Sequence, residues 1–470
     1  MVLMKHLSAL DALFLQLETP ETPMHVGSVM ILEKPRARAG KPADAYTRFR
    51  DHIEGRLHLA PIFTRRLAPM PLGLVNPAWI DAPVDLDHHV RRLRLPKPGT
   101  RAQLEAAVAK LHEAPLDRER PLWQFTVIEG LAGGEVGFYA KIHHAALDGQ
   151  GGVAVAQALL DPTRTPKRPL EAPAKAKVRA APSTTNMLGA ALWHTVSQYG
   201  RIVKALPDAL RAAGRAGAVA VAGPKAPKGS VFGPPTPLNA AIGARRAFVT
   251  VQVPLDEAKA IARYFGVKLN DVVLATCAGA LRSHFAKDKA ALAKAMIGAV
   301  PASLREAGDT KANSVTMMRV GLATDIANPV RRLNAIAAGS TRAKMLTGSM
   351  KNAIPTDLPS LGLPWLMAAI TPLYRRAAQA NRIPALANLV ISNVPGPPVP
   401  LYMAGAKATE YYPVSIVTHG LALNITILSY NGSLDYGLVA ATPAVSDLRG
   451  FARRVKAAHV ELLALSRPRK

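Results

Sequence analysis

The 470-residue chain has little cysteine, few aromatic residues and a shortage of negative charge. Its single cysteine, Cys277, excludes an intrachain disulfide and fits a reducing compartment. Because Cys277 lies in an apolar stretch, residues 272–281, we expect a buried and unreactive thiol. Aromatic residues make up 5% of the chain and do not alternate with its basic clusters, which argues against stacking platforms for single-stranded nucleic acid.

The shortage of acids leaves a strong positive charge. Lysine and arginine number 59 against 32 acids, so the formal net charge is +27 at pH 7. Such a charge favours an acidic partner: nucleic acid, an anionic lipid surface or a phosphorylated ligand. The sequence has no zinc finger, no RNP-like motif and no basic helix with an evident reading face, so we expect no nucleic-acid partner.

The sequence also lacks a secretory signal and a convincing membrane span. Residues 1–17 carry Lys5 and Asp11 and have no long apolar core or cleavage site. Residues 384–406 and 411–434 contain no Asp, Glu, Lys or Arg, but prolines interrupt the first segment and Asn and Gly the second. These segments are therefore expected to form strands and turns, and the protein is expected to be cytoplasmic.

Composition divides the chain into three segments. Residues 1–162 and residues 238–470 each mix predicted strands and helices, whereas residues 163–237 are basic and rich in Pro, Lys and Ala. Within the middle segment, residues 163–229 hold 12 lysines and arginines against two acids. We therefore predict an α/β (α+β) chain of two domains joined by a basic linker that is partly helical.

Two segments allow two interpretations each. Residues 187–221 repeat apolar side chains at helical spacing with added positive charge, which predicts a helix that bridges the domains or one that lies on anionic lipid. Residues 361–374 are almost wholly apolar, and Pro364 and Pro372 interrupt them. This stretch is too short to span a bilayer, so it predicts a buried helix pair or an interfacial patch that admits lipid.

The most informative stretch is His143-His144-Ala-Ala-Leu-Asp148-Gly149. Apolar and polar residues alternate over residues 136–143, so the histidines lie where a strand is predicted to end. An imidazole can remove a proton near neutral pH, and Gly149 lets the backbone approach a ligand closely. A metal site and a purely structural turn are the alternatives, although no second His/Asp/Glu cluster nearby completes a ligand set.

The last segment contains further predicted elements. An apolar helix opens at Asn270-Asp271, residue types that favour helix caps. Residues 414–427 and 433–440 predict a hairpin around an Asn-Gly turn.

These blocks together resemble a known family. His-His-x-x-x-Asp-Gly is similar to the signature of the CoA-dependent acyltransferase superfamily, which includes chloramphenicol acetyltransferase and the condensation domains of peptide synthetases. Residues 7–27 resemble the opening of the bacterial wax ester synthase/diacylglycerol acyltransferase family. Further blocks resemble that family in the same order: Pro121-Leu122-Trp123, Asn270-Asp271, residues 300–305 ending at Arg305, and Asn393-Val394-Pro395-Gly396-Pro397.

The resemblance implies two chloramphenicol-acetyltransferase-like domains with the active-site tunnel between them. It implies transfer of a long-chain acyl group from acyl-CoA to diacylglycerol or to a long-chain alcohol. Acyl-CoA is a substrate of this reaction, and no cofactor and no metal are expected. His144 is the expected general base, and the absence of a Gly-x-Ser-x-Gly elbow predicts no covalent acyl-enzyme. The expected location is peripheral, on an anionic inner membrane or a lipid droplet or inclusion.

The other motif residues have expected supporting roles. Neighbouring strand residues point to opposite faces, so His143 is expected to face away from His144 and to support the turn. Asp148 and Gly149 complete the catalytic motif. Asp148 is expected to have a structural role, and Arg305 is the candidate partner of its carboxylate.

The remaining blocks are expected around the pocket. Asn270 and Asp271 are expected to line it and to support the oxyanion from a helix N-terminus, which is compatible with capping. Pro121, Leu122 and Trp123, together with Asn393, Pro395 and Gly396, are expected to form wall and turn elements of the tunnel.

Two other functions stay open from the sequence. One is a condensation-type acyltransferase that takes its acyl group from a carrier protein, although the chain has no carrier domain. The other is a non-catalytic protein of lipid surfaces, which the intact His144, Asp148 and Gly149 disfavour.

Overall fold

The computed structural model describes residues 5–34, 44–68, 76–147, 151–166, 232–303, 315–351, 371–373, 376–377 and 386–467. Several sequence predictions fall outside these ranges. They concern Asp148, Gly149, Arg305, residues 187–221 and most of residues 361–374.

Strands and helices alternate in both halves of the chain. The first half contains β1 (Lys5–His6), α1 (Ala9–Leu17), β2 (His25–Leu32), α2 (Ala45–Glu54), β3 (Arg65–Ala68), β4 (Ala78–Asp81), α3 (Leu86–His89), β5 (Val90–Arg94), α4 (Arg101–Glu113), β6 (Trp123–Glu129), β7 (Val136–His143) and α5 (Gly151–Leu159). The second half contains β8 (Arg246–Pro254), α6 (Leu255–Phe265), α7 (Leu269–His284), β9 (Ile297–Ser303), β10 (Val315–Gly321), α8 (Pro329–Lys351), β11 (Leu389–Val394), β12 (Tyr402–Met403), β13 (Ala406–Val414), β14 (Leu423–Tyr430), β15 (Ser433–Ala441) and α9 (Leu448–Leu465). The predicted α/β (α+β) organisation is confirmed.

The first large sheet contains strands from both ends of the chain. Its order is β12-β13-β2-β7-β6-β5, and β7 has the bounds that the alternating pattern predicts. Strand β13 pairs antiparallel with β2, with Val414 opposite Gly27. Residues 238–470 therefore contribute strands to both large sheets, a feature that local alternation does not reveal.

The second large sheet has the order β10-β9-β11-β14-β15-β8. Helices α6 to α9 bury apolar side chains in the core that this sheet shares, among them Ile261, Leu274, Ile336 and Phe451. Cys277 of α7 belongs to the same core and is fully buried, as the sequence predicts. Burial raises the pKa of its thiol to about 12, so this cysteine stays protonated and unreactive.

The hairpin predicted near the end of the chain is partly confirmed. Strands β14 and β15 pair antiparallel around Asn431-Gly432, both of which have positive φ. The prediction of one strand over residues 414–427 is wrong, because Val414 ends β13 in the other sheet. Gly420, with φ of 78°, lies in the turn before β14 begins, and glycine adopts that backbone conformation without strain.

Direct contacts join the two large sheets and the helices packed on them. A Cβ atom on Gly437 of β15 would lie 1.7 Å from the backbone oxygen of Pro413 in β13, so only glycine allows this approach. A second contact involves Glu105 of α4. Its buried carboxylate accepts hydrogen bonds from Thr250 of β8 and from Arg449 of α9. These contacts fix the first sheet against the second.

Candidate active site

Backbone hydrogen bonds hold the histidine turn at the end of β7. The N–H of His143 donates to the Leu122 carbonyl at 3.0 Å, and the N–H of His144 donates to the Met24 carbonyl at 2.8 Å. A short 3-10 turn, His144–Ala146, follows the strand. Two neighbouring segments, the residues before β6 and those before β2, therefore fix where the pair of histidines lies.

The ring of His144 is partly exposed and stacks on Phe14 of α1. The ring centroids are 3.8 Å apart and the planes differ by 20°. Burial lowers the pKa of His144 to about 4, while a contact with its own backbone opposes the shift and the nearby His143 adds to it. At neutral pH this imidazole is uncharged and can accept a proton.

His143 has different surroundings and is fully buried. Its Nδ1 accepts a hydrogen bond from the Ala145 N–H at 3.1 Å, which braces the turn. Its Nε2 lies 3.3 Å from Oε1 of Glu18, the residue that follows α1. His143 thus contacts protein groups on both sides of its ring.

Glu18 is a residue of this site that sequence reasoning missed. Its carboxylate accepts hydrogen bonds from the Met24 N–H and from the guanidinium of Arg118. Arg118 lies 100 residues further along the chain, so no local spacing links the two. The only sequence signal is that Glu18 belongs to the same N-terminal block as Met24.

An apolar cavity of ≈ 200 Å³ lies beside the histidine turn. Ile142 and Leu147, which flank the turn, line it together with residues of β2, α5 and β13. Val394 and Leu428 bring the ends of β11 and β14 to the same space. The cavity therefore has walls from both halves of the chain.

The Asn270-Asp271 pair lies at the start of α7, as the sequence predicts. Oδ1 of Asn270 accepts a hydrogen bond of 3.3 Å from Nδ2 of Asn393, so two of the predicted pocket residues meet. Asp271 is buried, and its carboxylate accepts from the Lys268 N–H and from the Ser340 hydroxyl. Asp271 therefore caps the helix from its third position.

The other two motif blocks lie in different surroundings. Leu122 and Trp123 are fully buried; Leu122 packs in the small apolar cluster that includes Ala145 of the histidine turn, whereas Trp123 lies in the larger core of the first sheet and donates to the Phe63 carbonyl. Pro395 is exposed, whereas the Gly396 N–H donates to the Ser429 hydroxyl. A Cβ on Gly396 would lie 2.2 Å from the Ser429 carbonyl oxygen, which explains the glycine.

Neither a metal site nor a membrane span is found among the described residues. Within those ranges, no three His, Cys, Asp or Glu residues are grouped so that they could hold a metal ion. No helix formed by the described part of the chain is long and apolar enough to cross a membrane.

Comparisons with known proteins agree with this arrangement. Residues 7–273 match the catalytic domain of the wax ester synthase/diacylglycerol acyltransferase family, and residues 311–462 match the C-terminal domain of that family. A putative diacylglycerol O-acyltransferase of Mycobacterium tuberculosis is 35% identical, over 94% of this chain and 96% of that protein. A probable diacylglycerol O-acyltransferase of the same organism is 33% identical, over 93% and 94% of the two chains.

Solved structures show the same fold. The wax ester synthase/diacylglycerol acyltransferase from Marinobacter aquaeolei VT8 superposes with a TM-score of 0.69 and 28% identity, covering 98% of this chain and all of that one. The first condensation domain of the calcium-dependent antibiotic synthetase has a TM-score of 0.58 at 14% identity, over 99% and 96% of the chains, which shows a shared fold. The chain belongs to the wax ester synthase/diacylglycerol acyltransferase family.

Proposed function

We propose that the protein transfers a long-chain acyl group from acyl-CoA to diacylglycerol or to a long-chain alcohol, with His144 as general base. The observation that carries the proposal is a neutral, partly exposed imidazole beside an apolar cavity that both halves of the chain line. Membership of an acyltransferase family and relatives named diacylglycerol O-acyltransferase support the reaction class.

The chemistry needs one proton carrier. Nδ1 of His144 is buried, so Nε2 is the nitrogen that meets the acceptor alcohol. His144 takes the hydroxyl proton while the alcohol oxygen attacks the thioester carbonyl, and a tetrahedral oxyanion forms. When the carbon–sulfur bond breaks, the imidazolium returns the proton to the CoA thiolate. A positioned base of this kind contributes a rate factor on the order of 10²–10⁴.

The oxyanion requires a hydrogen-bond donor. Asn270 turns its Oδ1 toward Asn393, so its NH₂ group is directed elsewhere and is our candidate donor. Asp271 is assigned a supporting role, because both of its carboxylate oxygens already accept hydrogen bonds. The expected support of the motif by Asp148, Gly149 and Arg305 stays part of the proposal.

The cavity is our candidate site for the acyl chain. Its walls are almost wholly apolar, among them Met30, Phe138 and Val155. Each methylene group moved from water into such a site contributes about 0.8 kcal/mol. Access to a water-insoluble acceptor suggests association with an anionic membrane or lipid-droplet surface, which the net charge of +27 supports.

Acceptor-dependent release of CoA tests the proposed reaction. Purified protein mixed with palmitoyl-CoA should release free thiol only when dioleoylglycerol or hexadecanol is present, with matching triacylglycerol or wax ester among the products. Comparison of the two acceptors gives the preference. Thiol release without an acceptor, or transfer only from an acyl-carrier protein, would contradict the proposal.

A further inference from the structure

Glu18 lies beneath the histidine turn and is bound on several sides. Its side chain is 5% exposed. Oε1 accepts from the Met24 N–H at 3.0 Å and lies 3.3 Å from Nε2 of His143, while Oε2 accepts from Nε and Nη2 of Arg118 at 3.0 and 2.7 Å. One carboxylate therefore joins the segment before β2, strand β7 and the segment before β6.

The contacts of His143 determine where its proton lies. The Ala145 N–H donates to Nδ1, so that nitrogen carries a lone pair and the ring proton is on Nε2. Nε2 lies 3.3 Å from Oε1 of Glu18, close enough for the carboxylate charge to favour a proton on it although the two atoms are not aligned as a hydrogen bond. A carboxylate at this position thus selects the tautomer in which Nδ1 can hold the turn.

The groups that Glu18 contacts also fix the backbone of His144. Met24, whose N–H reaches Glu18, offers its carbonyl to the His144 N–H at 2.8 Å. His143 precedes His144 and braces the residue after it through Ala145. Phe14, in the last turn of the helix that precedes Glu18, packs on the His144 ring.

Glu18 keeps its charge under all working conditions. Burial raises its pKa, but His143, the Met24 N–H and Arg118 together lower it to about 2. The carboxylate therefore balances the charge of Arg118 and still accepts hydrogen bonds from the turn. A neutral amide of the same shape could not do both, since its NH₂ group would face a donor.

We propose that Glu18 is a positioning residue for His144, acting through His143 and Met24 and held in place by Arg118. The proposal rests on the proposed function of His144 as general base. Glu18 does not touch substrate, so its loss should lower kcat while leaving the Michaelis constants for acyl-CoA and acceptor within about two-fold. Misplacement of a catalytic group by about 1 Å costs on the order of 10²-fold in rate.

The kinetic test uses Glu18→Gln with Glu119→Gln as the matched control. Glu119 is exposed and next to Arg118, so its change removes the same charge without reaching the turn. We expect kcat to fall on the order of 10²-fold for Glu18→Gln and to stay within about two-fold for Glu119→Gln. A folded Glu18→Gln protein with unchanged kcat, or one that is impaired only in KM, would overturn the proposal.

A double-mutant cycle tests the route through His143. In His143→Asn, the amide oxygen can still accept a hydrogen bond from the Ala145 N–H, but the nitrogen that approaches Glu18 is lost. If Glu18 acts through His143, the double variant should be little slower than the slower single variant, whereas independent roles would multiply the losses. Arg118→Gln, which keeps the carboxylate, gives a milder loss and serves as the second variant if Glu18→Gln does not fold.

A spectroscopic readout separates this proposal from the proposed reaction. Nitrogen-15 shifts of labelled histidine should report His143 protonated at Nε2 in the wild type, and Glu18→Gln should change that signature. If the wild type transfers no acyl group, the proposed function fails while this measurement still decides the tautomer. A His143 ring protonated at Nδ1 in the wild type would overturn the positioning role by itself.

Discussion

Phe14 stacks on His144 with ring centroids 3.8 Å apart. This contact removes water from one face of the imidazole, and burial is the main cause of its low pKa. The contact comes from α1, more than 100 residues before the histidine motif, so an N-terminal helix belongs to the candidate site.

Phe14→Ala should move the acid limb of the pH–rate profile. A general base works in its neutral form, so activity falls as the pH drops through the pKa of His144, which is about 4 in place of 6.5. In the wild type, we expect the acid limb of the kcat/KM profile to have its midpoint below pH 6.5. In Phe14→Ala, that midpoint should move up toward pH 6.5. Tyr264→Ala, an exposed aromatic residue of α6, should leave the limb in place. A wild-type limb at or above pH 6.5 would contradict the burial of the base.

Ala156→Phe should shorten the acyl chain that the protein prefers. Ala156 lines the cavity, whereas Val153 of the same helix is 59% exposed and points away from it. If phenylalanine displaces two methylene groups of the chain, the preference for palmitoyl-CoA over hexanoyl-CoA should fall roughly 10-fold. Val153→Phe is the control, measured by kcat/KM for both donors. Equal behaviour of the two variants would exclude this cavity as the acyl site.

Gly437→Ala should destabilise the contact between the two sheets. The new methyl group would overlap the backbone oxygen of Pro413, and a backbone atom cannot rotate away. We expect a loss of about 3 kcal/mol in the free energy of unfolding. Gly321→Ala, in β10 of the same sheet, meets nothing within 4 Å and should change stability by less than about 0.5 kcal/mol. Urea unfolding of both variants measures the difference, and equal midpoints would contradict the close contact.

The free energy of unfolding should fall as the pH drops below 6.5, the ordinary pKa of a histidine. Burial lowers the pKa of His112 from 6.5 to about 3, so between these values the unfolded chain binds more protons than the folded one. Lowering the pH from about 7.5 to about 5 should therefore cost about 2 kcal/mol at this residue. His112→Gln cannot titrate and should show a smaller drop in urea unfolding. Parallel pH dependence in the two proteins would contradict the buried neutral histidine.

The sequence predicts local elements well where side-chain alternation is strict. Strand β7 has the bounds that residues 136–143 indicate, and the Asn431-Gly432 turn joins β14 to β15. The alternation within residues 406–414 predicts a strand but does not say which sheet the strand joins. Its pairing partner, β2, lies hundreds of residues earlier in the chain. The placement of β13 beside β2 therefore had no local signal.

The candidate site was predictable only as far as its motifs extend. The motifs predicted the turn at the end of β7 and the helix that opens at Asn270-Asp271, but not the hydrogen bond between Asn270 and Asn393. They did not predict that Trp123 lies in the core, since that outcome depends on side-chain direction, whereas the capping expected at Asn270-Asp271 is made by Asp271. Glu18 was missed because its role depends on contacts across three separate segments.

The rate of ester formation by His144→Ala measures whether His144 is the general base. The measurement is single-turnover transfer from palmitoyl-CoA to the preferred acceptor, with the folded state checked by unfolding in urea. We expect a loss on the order of 10²–10⁴-fold with substrate binding retained, because the alcohol loses its base. A folded His144→Ala protein that forms ester at the wild-type rate would show that another group removes the proton.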